Sequence, residues 1–133
     1  MENKKLKKEN GEMEKNNKMC NAIQRAGFGR VEARILTYLL NNGTVSAISR
    51  DIEHAMDIRQ PEASIGLQRL LELNIIKWDA LKTEKKGRPV HRYSLKKSIE
   101  ATKKSIVSIA EKKAAEQVAN VNALKKQFES FDK

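Results

Sequence analysis

The stretch Asp57-Ile58-Arg59-Gln60-Pro61-Glu62-Ala63-Ser64-Ile65-Gly66-Leu67-Gln68-Arg69-Leu70-Leu71, with Ile75-Ile76-Lys77-Trp78 and Val90-His91-Arg92-Tyr93-Ser94-Leu95 beyond it, decides the fold. Met56 to Arg59 make a turn, and Pro61 stands at the start of a helix, where its missing N–H costs nothing. Ala63, Leu67, Leu70 and Leu71 recur at three- and four-residue steps and form an inward stripe, leaving Ser64, Ile65, Gln68 and Arg69 on the opposite face. Asn74 falls at the expected helix end, where asparagine tolerates the left-handed conformation. Two β-rich runs then flank Lys82-Thr83-Glu84-Lys85-Lys86-Gly87-Arg88-Pro89, the expected basic tip of a hairpin.

Upstream, Ile48, Ile52 and Ala55 or Met56 give a second short helix its buried stripe, with Arg50, Glu53 and His54 outward. Thr44-Val45-Ser46 reads as a brief extended bridge whose Ser46 is available to cap that helix. Val31, Ile35, Tyr38 and Leu39 make the first core helix, stopped by Asn42-Gly43. Ile23 and Ala26 suggest a short helix that Gly27 ends. A helix pair joined by a tight turn and followed by a cationic hairpin is the layout of a winged helix. The expected fold class is therefore mainly α with a small β-hairpin: a winged helix-turn-helix domain over residues 19–97 and a long C-terminal helix over residues 98–133. Residues 1–18 hold Lys, Glu and Asn with almost no apolar periodicity, and a disordered mixed-charge tail is expected there.

From Ser98 to Phe131 the chain has no Gly or Pro. Its apolar positions Ile99, Ile106, Ala110, Ala114, Val118, Val121, Leu124, Phe128 and Phe131 make one stripe, longer than so small a domain can cover. The expected cover is the same helix of a second copy, with Ile106, Ala110, Val118, Val121, Leu124 and Phe128 as dimerisation residues.

The 133 residues carry a net charge of +10, from 27 basic and 17 acidic side chains. Residues 59–97 alone hold ten basic against four acidic residues, which places the excess on the helix opened by Pro61 and on the hairpin. Such a balance favours a polyanionic partner. No apolar run approaches the roughly 20 residues that cross a bilayer, and no secretory stretch opens the chain, so no membrane partner and a cytoplasmic, nucleoid-associated location are expected. Cys20 is the only cysteine and is expected to be an incidental thiol near a flexible terminus, with no disulfide or cysteine zinc cluster within one chain. His54 and His91 lack metal-ligand spacing, the glycines stand singly, and no motif sets a nucleophile beside a base. No catalytic residue, metal or cofactor is therefore expected.

The chemistry expected of the chain is recognition. Gln60, Ser64 and Gln68 are the polar candidates for base edges, a glutamine pairing bidentately with adenine. Ile65, off the core stripe, suits a thymine methyl, and Arg59 or Arg69 suits guanine or phosphate. The plainer alternatives are that Gln60 caps the helix and Gln68 is merely solvated. Lys82, Lys85, Lys86 and Arg88, with Lys77 and Arg92 nearby, are the candidate phosphate contacts; a solvated turn is the alternative. Trp78 and Tyr93 are expected to close the core rather than to stack on bases.

Ser49-Arg50-Asp51-Ile52-Glu53, the run Asp57 to Ile65, Lys86-Gly87-Arg88-Pro89 and Tyr93-Ser94-Leu95 together resemble archaeal winged-helix transcriptional regulators of the broad ArsR/MarR/TrmB-like group. The resemblance covers residues 22 to 97 and is similar in kind to methanogen regulators of archaellum genes. It implies a homodimer on promoter double-stranded DNA, with contacts to the transcription machinery. It also implies Gln60, Ser64, Ile65 and Gln68 on the recognition helix and Lys86 and Arg88 on the wing. Asn74 departs from the usual glycine at that bend. Metal-sensing members use Cys or His clusters, which this chain lacks, so metal sensing is not implied. Two other readings stand beside it: a protein-interaction adaptor built on a winged helix and a coiled coil, and a non-specific architectural DNA-binding protein.

Overall fold

Three helices end by one device, a residue at positive φ followed by a buried apolar side chain. The computed structural model describes residues 2–43, 45–81 and 90–131, with side chains described from residue 13 onward. Helix α1 (Glu2–Arg25) closes at Gly27, φ 116°, with the Phe28 N–H donating to the Ile23 carbonyl at 3.4 Å. Helix α3 (Ser49–Met56) closes at Asp57, φ 52°, with Ile58 N–H on Glu53 O at 3.0 Å. Helix α4 (Gln60–Glu72) closes at Asn74, φ 62°, with Ile75 N–H on Leu70 O at 3.2 Å. In each case the six-to-one bond satisfies a terminal carbonyl while Phe28, Ile58 or Ile75 drops into the core.

The remaining elements are α2 (Arg30–Asn42), β1 (Ala47–Ile48), β2 (Ile76–Leu81), β3 (Val90–Leu95) and α5 (Ile99–Phe131). The strands form an antiparallel sheet in the order β1-β3-β2, with Ala47 opposite Tyr93 and Trp78 also opposite Tyr93. Ile35, Leu36 and Leu39 of α2, Ile52 of α3, Ala63, Leu67 and Leu70 of α4, and Ile75, Ile76 and Leu95 of the sheet are buried together. Each large aliphatic side chain so buried contributes about 1.5–3 kcal/mol, which is why α2, α3 and α4 pack as one unit around it. This is the mainly helical, small-sheet architecture expected from the sequence.

Three local expectations change and one open choice is resolved. The extended bridge is displaced to Ala47–Ile48, where it becomes a third strand; Val45 and Ser46 precede it and Thr44 lies outside the described residues. Ser46 does not cap α3: Ile48 holds the N-cap position without a side-chain bond, so pairing with β3 sets the start of that helix. Of the two choices for the buried stripe of α3, Met56 is half-buried and Ala55 exposed. The segment read as a disordered tail is helical, continuing α1 back to Glu2. Once Ile23 is buried and the helix nucleated, straight-chain Lys, Glu and Met residues propagate it at little cost.

Cys20 is also better placed than a thiol near a flexible terminus. Its Sγ donates to Thr37 Oγ1 at 3.3 Å, and the Thr37 hydroxyl donates to the Ala33 carbonyl at 2.8 Å, so the pair lies in the seam between α1 and α2. Nearby, Asn41 Nδ2 donates to Asn16 Oδ1 at 2.7 Å.

Candidate nucleic-acid interface

Helix α4 turns Ala63, Gly66, Leu67 and Leu70 into the core, and the 100° step per residue then sends Gln60, Ser64, Ile65 and Gln68 outward. All four are exposed, as are Arg59 and Arg69, and Ile65 retains 58% of its surface. Gln60 does not cap the helix. Arg59 occupies that position, and its N–H donates to Glu62 Oε1 at 3.3 Å. Gln68 Nε2 makes one long bond of 3.4 Å to Glu72 Oε1, a weak tie that leaves its carbonyl oxygen unengaged among the described residues.

Two ion pairs of opposite sense hold α4 against α2. Arg30 of α2 donates to Glu62 Oε2 of α4 at 2.7 Å, and Arg69 of α4 donates to Glu32 Oε1 of α2 at 3.1 Å. Glu32 is buried and also accepts the Gly29 N–H at 3.3 Å. Between the pairs lies Gly66, where an added Cβ would come within 2.8 Å of Ile35 Cδ1 and 2.9 Å of Val31 Cγ1. The two helices therefore touch backbone to side chain, and the pairs fix their rotation about that point. Pulling Arg69 away would strand a buried carboxylate without its counter-charge, a costly arrangement. A third tie fixes the turn itself: Arg34 Nη1 donates to the Met56 and Asp57 carbonyls, each at 3.0 Å, at the C-terminal end of α3. Sequence reasoning missed Arg30, Glu32 and Arg34, because salt partners on different helices leave no periodic signal.

The hairpin carries different chemistry on its two faces. Strand alternation puts Ile76, Trp78 and Ala80 with Leu95, Tyr93 and His91 on one side, and Lys77, Asp79 and Leu81 with Ser94, Arg92 and Val90 on the other. On the second face Arg92 Nε and Nη2 donate to the two Asp79 carboxylate oxygens at 3.0 and 3.3 Å. On the first, Trp78 stacks on His91 with ring centroids 4.0 Å apart, and Tyr93 meets His91 edge-on at 6.3 Å. Trp78 is 49% exposed, so it braces the stem instead of closing the core, because the hairpin outruns the helices beneath it. Tyr93 is half-buried against the core as expected, and burial raises its phenol above the ordinary value. Lys82, Lys85, Lys86 and Arg88 lie outside the described residues.

This arrangement of α2, α3 and α4 followed by an antiparallel hairpin, with one face of α4 exposed, has counterparts among solved structures. The fold is a winged helix. A possible transcriptional regulator from Methanosarcina mazei Go1 matches 86% of this chain and 87% of its own at a TM-score of 0.58, with 12% sequence identity. A second transcriptional regulator matches 86% of this chain and 76% of its own at 0.54, with 17% identity. At those identities the likeness is one of fold. No protein-family model and no curated relative matches the sequence.

Beyond the domain, α5 divides in two. Ile106 is buried in the domain's own core, so it is not free to serve mainly as a dimer contact. Lys113 Nζ donates to the Gly27 carbonyl at 2.9 Å and stands 4.7 Å above the Phe28 ring centre, anchoring the helix to the α1–α2 turn. Ala110 is half-buried, while Val118, Val121, Leu124 and Phe128 are exposed. Among the described residues no helix is long and apolar enough to cross a membrane, and no group of three His, Cys, Asp or Glu side chains converges as a metal site.

Proposed function

We propose that this protein is a sequence-specific, double-stranded-DNA-binding transcriptional regulator that acts as a homodimer and needs no cofactor. Helix α4 enters the major groove, and the basic tip of the β2–β3 hairpin grips the flanking phosphate backbone. The observation that carries the reading is the outward face of α4. Gln60, Ser64, Ile65 and Gln68 are exposed on a helix whose rotation is fixed by Gly66 and two ion pairs. That face is polar with one apolar residue, which suits base edges and a thymine methyl better than it suits bulk phosphate attraction.

Arg69 and Arg30 spend their charge on Glu32 and Glu62, so on this reading they position the helix and do not contact DNA. Arg59, at the helix N-terminus, and the hairpin cations supply phosphate contacts instead. Fluorescence anisotropy with a labelled promoter duplex tests the proposal. The logarithm of affinity should fall linearly with the logarithm of salt concentration, and a preferred duplex should outcompete an unrelated one by at least about a thousandfold. Equal competition by unrelated duplexes would favour an architectural protein. Absence of salt-dependent binding would leave the adaptor reading.

A further inference from the structure

The free half of α5 carries a heptad pattern whose details choose an orientation for the second copy, an inference that rests on the homodimer reading above. Val107, Ala110, Ala114, Gln117, Val121, Leu124, Phe128 and Phe131 step alternately by three and four residues. Val107 is 54% exposed and Phe131 88%, so this seam lacks a partner along most of its length. Over its first turns the seam forms one wall of an apolar groove of about 670 Å³, whose other wall is Met19, Ala22 and Ile23 of α1. The domain thus offers a slot beside small residues at one end of α5, and α5 presents its two phenylalanines at the other end.

We infer that two copies pair their α5 helices antiparallel, in the register that sets residues whose numbers add to 238 side by side. In that register Val107 faces the partner's Phe131, Ala110 faces the partner's Phe128, Ala114 faces the partner's Leu124, and Gln117 faces the partner's Val121. In three of these four layers a large side chain meets a smaller one, and in the fourth Gln117 meets a valine of similar size, which is how facing layers reach interior packing density. The partner's Phe128 and Phe131 arrive at the level of Ala110 and Val107, where they fill the groove against Met19, Ala22 and Ile23. Along one flank, Glu111 comes opposite the partner's Lys125, and the symmetry repeats that attraction at the other end of the same flank. A parallel, in-register pair would instead set Phe128 on Phe128 and Ala110 on Ala110. Its layers would be overfilled at one end and hollow at the other, Glu111 and Lys125 would lie apart, and the groove would stay empty.

Spin-label distances in the full-length chain decide this. With Cys20→Ser as background, single Asn122→Cys and Glu129→Cys variants place labels on one exposed helix face, one heptad apart. At 1.5 Å per residue, antiparallel pairing offsets the two Asn122 labels by about 9 Å along the axis and the two Glu129 labels by about 30 Å. The Glu129 pair should therefore be clearly farther apart, and adding Phe128→Ala should weaken the dimer in sedimentation. Equal distances at both sites would overturn the antiparallel register while leaving the homodimer standing. Absence of any intermolecular distance would overturn the homodimer reading itself. Either result can be told from a failure of DNA binding, which is measured separately.

Discussion

Replacing Gly66 with alanine sets two known effects against each other at the contact that seats the recognition helix. In a helix interior alanine is favoured over glycine by about 1 kcal/mol, so an unobstructed Gly66→Ala should stabilise the protein. Here the new methyl would lie 2.8 Å from Ile35 Cδ1 and 2.9 Å from Val31 Cγ1. Ile35 is fully buried and has nowhere to swing, and a β-branched valine in a helix is held largely to one rotamer. Overpacking of this kind costs about 1–3 kcal/mol. The net expectation is a loss of roughly 1 kcal/mol in urea denaturation with an unchanged slope. In a Val31→Ala background one of the two obstructions is gone, so the cost of Gly66→Ala should shrink, giving a coupling of about 0.5–1 kcal/mol. A Gly66→Ala protein about 1 kcal/mol more stable than the parent, with no coupling to Val31, would refute the close approach of α2 and α4.

Gln68→Ala should relax preference at particular base pairs by about 1–3 kcal/mol when affinities for single-substitution duplexes are compared, with little effect elsewhere in the site. Lys86→Ala or Arg88→Ala should instead weaken binding to every duplex and reduce the salt slope by about one, read from anisotropy over a salt series. Glu32→Ala should lower stability by about 1–3 kcal/mol in denaturant titration, since it removes the buried acceptor of both Arg69 and the Gly29 N–H. Asp57→Gly should raise thermal stability by about 0.5 kcal/mol, because glycine takes the φ of 52° at that turn without strain.

The parts of the fold that were legible in the sequence are those written in local periodicity and turn chemistry. The α4 stripe of Ala63, Leu67 and Leu70, the stop at Asn74 and the two hairpin strands depend on neighbours a few residues away, and all appear where expected. Ile65 was marked by a local fact too, an apolar residue off the core stripe. What escaped notice depends on distant pairings. Pairing of Ala47 with Tyr93 makes a strand from a segment too short to signal itself. Arg34 reaches the Met56 carbonyl, and Arg69 reaches Glu32, across the helix interface. The exposure of Trp78 is equally non-local, because burial in a strand depends on how far the hairpin runs past its supporting helices. The heptad seam of α5 was visible only as a broad stripe until the domain took Ile106 and Lys113 for its own packing.

Selection of binding sites from random duplex DNA, carried out in parallel with the parent protein and Gln68→Ala, tests most directly whether the outward face of α4 reads sequence. The expected result is an enriched motif with twofold symmetry, in which the substitution degrades the preference at one position of each half-site and leaves the spacing intact. An unenriched pool, or a motif identical for both proteins and for Ser64→Ala and Ile65→Ala as well, would contradict it.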